Sequence, residues 1–167
     1  SGAYWTGWRI RHTGLDGVID VLYSAEDHPL PDGMTVQDLR TGHQPPEAYS
    51  FETTVHHHTP AGELKPSRRI LESILADQGV LPREAVYLGD SLMKDVAMAQ
   101  SAGVMDVHAK YGEAQTKPEY ELLRRVSHWP DEDVQKDQAI VQRPTIRPTN
   151  VCEYGFSQIL PLFGLTD

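Results

Sequence analysis

Hydrophobic and polar positions alternate most regularly between residues 67 and 112. Ser67 is a residue type that caps helices, and it precedes four apolar residues spaced along one helical face: Ile70, Leu71, Ile74 and Leu75. Short apolar runs at 85–88 and 104–109 are typical of buried parallel strands, and a second helical stretch lies between them. Helices and strands that alternate with short connections predict an α/β fold with a parallel sheet.

Outside this region the pattern is weaker and predicts shorter elements. They are a helix and then a strand within 4–24, a short strand around 49–55, a helix over 118–127 and an apolar docking segment at 156–163. Proline and glycine are frequent between residues 25 and 66. They predict an irregular, Pro-rich insertion at about 25–60.

Composition and charge exclude several classes of protein. The 167 residues include 15 Lys and Arg against 24 Asp and Glu, a net charge of −9, so we expect no nucleic-acid partner. The single cysteine, Cys152, excludes an internal disulfide and a multi-cysteine zinc site. No apolar run approaches the ~20 residues that cross a bilayer, and the first residues do not resemble a secretory signal. We therefore expect a soluble, cytoplasmic protein without a membrane partner.

Two aspartates follow the first predicted parallel strand and could share one cavity. Asp90 comes directly after the strand and Gly89, and Asp95 lies at the start of the next helix. Ligands of parallel α/β sheets bind outside the carboxyl ends of the strands, and paired carboxylates suit Mg²⁺ bound together with a phosphate. The alternative interpretation is that Asp90 caps the helix and Asp95 is an ordinary acid of its first turn.

A lysine precedes the first helix of the regular region. Pro66 disfavours a helical conformation at Lys65, which places the lysine just before a helix N-terminus, where anions are favoured. Its ammonium could neutralise a phosphoryl group. The alternative is a solvated lysine, the usual state of this residue type.

Together, the Lys65-Pro66 pair, the helix, the strand and the Gly89-Asp90 pair followed by Asp95 resemble the third and fourth motifs of the haloacid dehalogenase-like (HAD) hydrolase superfamily. The similarity to its phosphatases is specific over residues 65–104. It implies a HAD-like Rossmannoid fold, a parallel sheet flanked by helices. It further implies that Asp90 holds Mg²⁺, that Asp95 completes the metal site or orients Lys65, and that Lys65 offsets charge on the nucleophile and the phosphate.

The nucleophile expected from this resemblance has no counterpart before Lys65. The family uses an Asp-x-Asp after an apolar strand, whereas Asp16 and Asp20 have the wrong spacing and the acidic residues at 131–133 follow the fourth motif. The simplest interpretation is that residues 1–167 are the C-terminal portion of a single HAD-like domain. This portion would carry the insertion at about 25–60 and a C-terminal extension at about 127–167.

The resemblance therefore implies a Mg²⁺-dependent phosphatase that acts on a small phosphorylated metabolite through an aspartyl-phosphate, with its nucleophile upstream of this chain. The chain alone should be inactive. Its partners would be the substrate and the missing N-terminal segment of the same protein, or a second copy in a homodimer that covers the exposed sheet edge. The alternative is a catalytically inactive HAD-like interaction module.

Three consecutive histidines at 56–58 are a further candidate for a metal site. In an extended strand, alternate side chains point to opposite faces, so the three cannot converge on one ion. A polar segment is the favoured interpretation.

Overall fold

A computed structural model describes residues 3–26, 32–35, 38, 45–113 and 146–165. The chain divides into two compact units, Ser1–Glu63 and Leu64–Asp167. The predicted helix over 118–127 and the acidic residues at 131–133 lie outside the described residues. The assignment of the whole chain to one HAD-like domain stays a prediction.

The described part of the first unit includes a helix and a pair of parallel strands. Helix α1 spans Ala3–His12, strand β1 Val21–Ser24 and strand β2 Val55–His58. The two strands pair with Val21 opposite Val55 and Ser24 opposite His58. A 3-10 helix, Pro46–Tyr49, lies between them along the chain and packs against α1.

The second strand of this unit does not lie where the sequence pattern places it. We predicted a strand around 49–55, but β2 begins at Val55 and contains the three histidines. The reason is the carboxylate of Asp16, which accepts hydrogen bonds from the backbone N–H groups of residues 52–54. These groups are therefore unavailable to a strand ladder.

The described residues of the second unit form a three-stranded parallel sheet with helices. Its elements are helix α2 (Arg68–Gln78), strand β3 (Val86–Gly89), a π-helical turn (Leu92–Val96), helix α3 (Ala97–Ser101), strand β4 (Met105–Ala109) and strand β5 (Asn150–Cys152). The strand order is β3-β4-β5, with Gly89 opposite His108 and Val107 opposite Asn150. A 3-10 helix, Phe156–Phe163, follows β5.

Two apolar clusters cover the two faces of this sheet. The first contains Ile70, Leu71, Leu75, Met98, Ala99 and Val104, with Tyr87 packed against it. The second contains Val107, Cys152 and Ile159, with Val86 and Leu88 packed against it. Because successive strand residues point to opposite faces, Tyr87 faces one cluster while its neighbours face the other. The sheet therefore has helical or apolar cover on both faces, as an α/β layer requires.

The predicted elements between residues 67 and 112 are confirmed, with small differences in where they begin and end. Helix α2 ends where Gly79 adopts a left-handed conformation with φ 64°, and Ser67 occupies the N-cap position without a side-chain hydrogen bond. Strand β5 was not predicted, because three residues carry too little pattern to be recognised. No helix within the described ranges has the length and hydrophobicity needed to cross a bilayer.

Candidate active site

The structure brings together two of the three predicted site residues. The Nζ atom of Lys65, which precedes α2, lies 2.7 Å from Oδ1 of Asp95 in the π-helical turn. The side chain of Lys65 is 46% exposed and that of Asp95 is 7% exposed. The pair therefore has a buried anion and a cation that still reaches solvent, so a ligand can approach the ammonium.

The local sequence after β3 turns the Asp95 carboxylate inward. The backbone N–H of Asp95 donates to the carbonyl of Ser91, and the N–H of Ser91 donates to Oδ2 of Asp95 at 3.1 Å. Ser91 also caps the turn, because its Oγ accepts the N–H of Lys94. These bonds fix the carboxylate against the end of β3.

Gly89 allows the Asp95 side chain to lie this close to β3. A Cβ atom built on Gly89 would overlap Cβ and Cγ of Asp95. Strand alternation directs the side chain of Tyr87 to the same face of β3 as this position. From there its hydroxyl donates to Oδ1 of Asp95 at 3.1 Å. The buried oxygen therefore has two donors, Lys65 and Tyr87.

Asp90 is exposed, immediately beyond the end of β3. A Cβ atom on Gly112 would lie 3.2 Å from Cβ of Asp90, so the turn after β4 passes beside it. Ser91, not Asp90, occupies the N-cap of the following turn, which removes the capping interpretation of Asp90. Its carboxylate is thus available at the same strand end that carries Asp95.

Electrostatics keep the lysine charged. Partial burial alone lowers the pKa of Lys65, but the hydrogen bond to Asp95 and the neighbouring Tyr87 outweigh it, and the net pKa is raised. Burial raises the pKa of the Tyr87 phenol, although the neighbouring Lys65 opposes this. At neutral pH the site therefore contains an ammonium beside an un-ionised phenol.

The donor set fits magnesium at Asp90 better than at Asp95. Both oxygens of Asp95 already accept hydrogen bonds, from Lys65 and Tyr87 on Oδ1 and from Ser91 on Oδ2. Mg²⁺ is commonly held by one or two carboxylates together with substrate phosphates, and exposed Asp90 can serve as such a ligand. Within the described ranges, no cluster of three or more His, Cys, Asp or Glu residues could hold an ion. The binding of magnesium by Asp95 stays a prediction, and its contacts support the lysine-orienting role.

Sequence reasoning missed other residues at this end of the sheet. Tyr87 precedes Gly89 by two residues, so strand alternation could have placed it on the face of Asp95. His108, buried opposite Gly89 on β4, gave no such signal. Its Nε2 lies 2.9 Å from Oε1 of Glu113, but without the geometry of a hydrogen bond.

In the first unit, the histidines alternate as expected. The rings of His56 and His58 lie on one face with centroids 4.9 Å apart, whereas His57 packs edge-on against Tyr23. Oγ of Ser24 lies 2.9 Å from Nε2 of His56. The three imidazoles therefore do not converge on one ion.

Comparison with known families gives a match over most of the second unit. A family model described as HAD-hydrolase-like matches residues 64–154, more than half of the chain, and the chain belongs to this family. The fold is accordingly the α/β, Rossmann-like fold of HAD hydrolases. The match continues past residue 104, where the specific motif similarity ends, and includes β5. No curated protein matches the chain.

Proposed function

We propose that this protein is a Mg²⁺-dependent phosphatase that acts on small phosphorylated metabolites. The observation that carries the proposal is the 2.7 Å contact between Lys65 and buried Asp95, at the strand end that also presents Asp90. A persistent cation and an available carboxylate are what a phosphate ester and its magnesium ion need. Membership of a hydrolase family supports this chemistry.

Lys65 is proposed to neutralise charge on the phosphoryl group. Phosphoryl transfer depends mainly on positioning and electrostatic stabilisation of the transferred group. Because Asp95 is buried and hydrogen-bonded, it can hold the ammonium in one place without competing for the phosphate. Asp90 would hold magnesium, which when bound supplies further positive charge to the phosphate oxygens.

The nucleophile is proposed to be an aspartate upstream of this chain. One of its carboxylate oxygens attacks phosphorus, the P–O bond to the leaving group breaks, and the leaving alkoxide takes up a proton. Water then hydrolyses the aspartyl-phosphate to inorganic phosphate. Within the described residues β3 pairs only with β4, so its other edge could receive the strand that carries this aspartate. The chain by itself is accordingly proposed to be inactive.

The test is a hydrolysis assay on the full-length protein, with p-nitrophenyl phosphate and a panel of small phosphorylated metabolites. Lys65→Ala and Asp90→Asn should each lower kcat by about 100-fold or more, as removal of a charge-stabilising group does elsewhere. Lys94→Ala is the matched control, because Lys94 is exposed on the neighbouring turn. Chelation with EDTA should abolish turnover and added Mg²⁺ should restore it.

Equal turnover in the wild type and in both site variants would contradict the residue assignment. If the full-length protein hydrolyses none of the phosphate esters, with or without Mg²⁺, the inactive interaction module becomes the better interpretation.

A further inference from the structure

Asp95 joins Tyr87 and Lys65 through two hydrogen bonds at the end of β3. Lys65 donates to Oδ1 of Asp95 at 2.7 Å and Tyr87 donates to the same oxygen at 3.1 Å. Oδ1 of Asp95 is therefore a shared acceptor that links the lysine to the tyrosine.

The aromatic ring adds a second contact to the lysine. Nζ of Lys65 lies 5.5 Å from the centroid of the Tyr87 ring, within the distance at which a cation is attracted to an aromatic face. Without these contacts, a long and half-exposed side chain would occupy several rotamers, and a flexible ammonium loses entropy when it is held in one place. The tyrosine thus limits the positions that the lysine can adopt.

We propose that Tyr87 is a positioning residue, whose hydroxyl locks the Asp95 carboxylate and holds the Lys65 ammonium in one orientation at the carboxyl end of β3. The purpose of that orientation rests on the proposed phosphatase function. The network itself does not depend on it, because its three members meet without substrate. Tyr87 is not proposed to touch the phosphate.

A positioning role, unlike simple packing, predicts that the pKa of Lys65 changes when the hydroxyl is removed. Tyr87→Phe keeps the ring and its packing but removes the hydroxyl. Since the hydroxyl supports the charged form of Lys65, its loss should lower the pKa of the lysine. Tyr154→Phe is the matched control, because Tyr154 is 87% exposed and far along the chain from this network.

The experiment is an NMR titration of the lysine side chains in the protein labelled with ¹³C at the lysine ε carbon, with Lys65→Met used to assign the Lys65 signal. We expect the pKa of Lys65 to fall in Tyr87→Phe and to be unchanged in Tyr154→Phe. In an Asp95→Asn background the effect of Tyr87→Phe should shrink, because the shared acceptor has lost its charge. An unchanged pKa in Tyr87→Phe would overturn the proposal.

If Tyr87→Phe does not fold, the wild-type protein still provides a test. Its NMR spectrum should show a through-space contact between the Lys65 ε-methylene and the Tyr87 ring, and a Tyr87 hydroxyl proton protected from exchange with water. Absence of both signals would contradict the network.

Turnover of p-nitrophenyl phosphate by the full-length protein separates this inference from the proposed function. Tyr87→Phe should lower kcat with little change in KM and should move the alkaline limb of the pH profile to lower pH. If the pKa of Lys65 moves but Lys65→Ala retains full activity, the network stands and the catalytic role of Lys65 fails. If the pKa moves but the full-length protein hydrolyses no phosphate ester, the network stands and the phosphatase assignment fails. If Lys65→Ala is inactive but the pKa does not respond to Tyr87→Phe, the assignment stands and the positioning role fails.

Discussion

The side chain of Asp95 occupies the space that a side chain at Gly89 would need. This close approach brings the carboxylate onto β3 and within hydrogen-bonding distance of Lys65 and Tyr87. The absence of a side chain at one residue therefore allows three groups distant in sequence to meet at one strand end.

Gly89→Ala should destabilise the protein and separate the ion pair. The new methyl group would push Asp95 away from β3, and over-packing of this kind costs about 1–3 kcal/mol. Urea unfolding measures the loss, and NMR of the Lys65 side chain reports the broken contact. Gly155→Ala is the control, since Gly155 has an extended backbone and open space around its Cα. Equal stability of the two variants would show that Asp95 is not confined by the glycine.

Replacement of Asp95 should cost more stability than replacement of Lys65. Asp95→Ala leaves the Ser91 N–H, the Tyr87 hydroxyl and the Lys65 ammonium without their acceptor, a loss of about 2–3 kcal/mol. Lys65→Met leaves the carboxylate two of its three donors, and the lysine is half-exposed, so we expect about 1 kcal/mol. Thermal or urea unfolding measures both, with Lys94→Met as the neutral control. The reverse order would contradict the anchoring role of Asp95.

Asp106 should matter for stability and not for the candidate site. This buried carboxylate accepts hydrogen bonds from the backbone N–H and the hydroxyl of Thr149 and from the side chain of Gln100. It thereby joins β4 to the segment that leads into β5. Asp106→Ala should lower the free energy of unfolding by about 3 kcal/mol because it leaves several donors without an acceptor. Thr149→Val, which removes one donor, should lower it by about 1 kcal/mol.

Hydrogen exchange provides the readout for Asp106. Amides of β5 should exchange faster in Asp106→Ala, while the pKa of Lys65 should be unchanged. A shifted Lys65 titration would show that the two networks are coupled.

The first unit should lose stability in acid through Asp16. Hydrogen bonds from the backbone N–H groups of Glu52 and Thr54 are the main cause that lowers the pKa of Asp16 from 3.8 to about 2. Because the pKa is lower in the folded than in the unfolded state, this stabilisation is complete above pH 3.8 and is lost as pH falls through about 2.

The measurement is amide exchange at residues 52–54 as a function of pH, corrected for intrinsic rates. Asp16→Asn should remove the acid dependence of protection, whereas Glu26→Gln, at an exposed position after β1, should keep it. Acid-dependent protection that persists in Asp16→Asn would contradict the assignment to this carboxylate.

Local pattern alone determined the elements that surround the site. The apolar spacing that starts at Ile70 and the glycine at 79 define α2, and two apolar runs define β3 and β4. An amphipathic helix and a buried strand each require such a spacing of apolar residues, regardless of their tertiary contacts. Spacing together with the family resemblance also singled out Lys65, Asp90 and Asp95. The position of β2 could not be read in this way, since a distant carboxylate, Asp16, occupies the backbone N–H groups that precede it.

Tertiary structure decided which groups each candidate site residue contacts. The sequence allowed Asp95 to be a first-turn acid, a metal ligand or the partner of the lysine, because all three need only a carboxylate at that position. The folded chain brings Lys65 and Tyr87 to the same oxygen, and it leaves Asp90 exposed. Contacts between residues far apart in sequence depend on how strands and turns pack, and local residue patterns do not determine that packing.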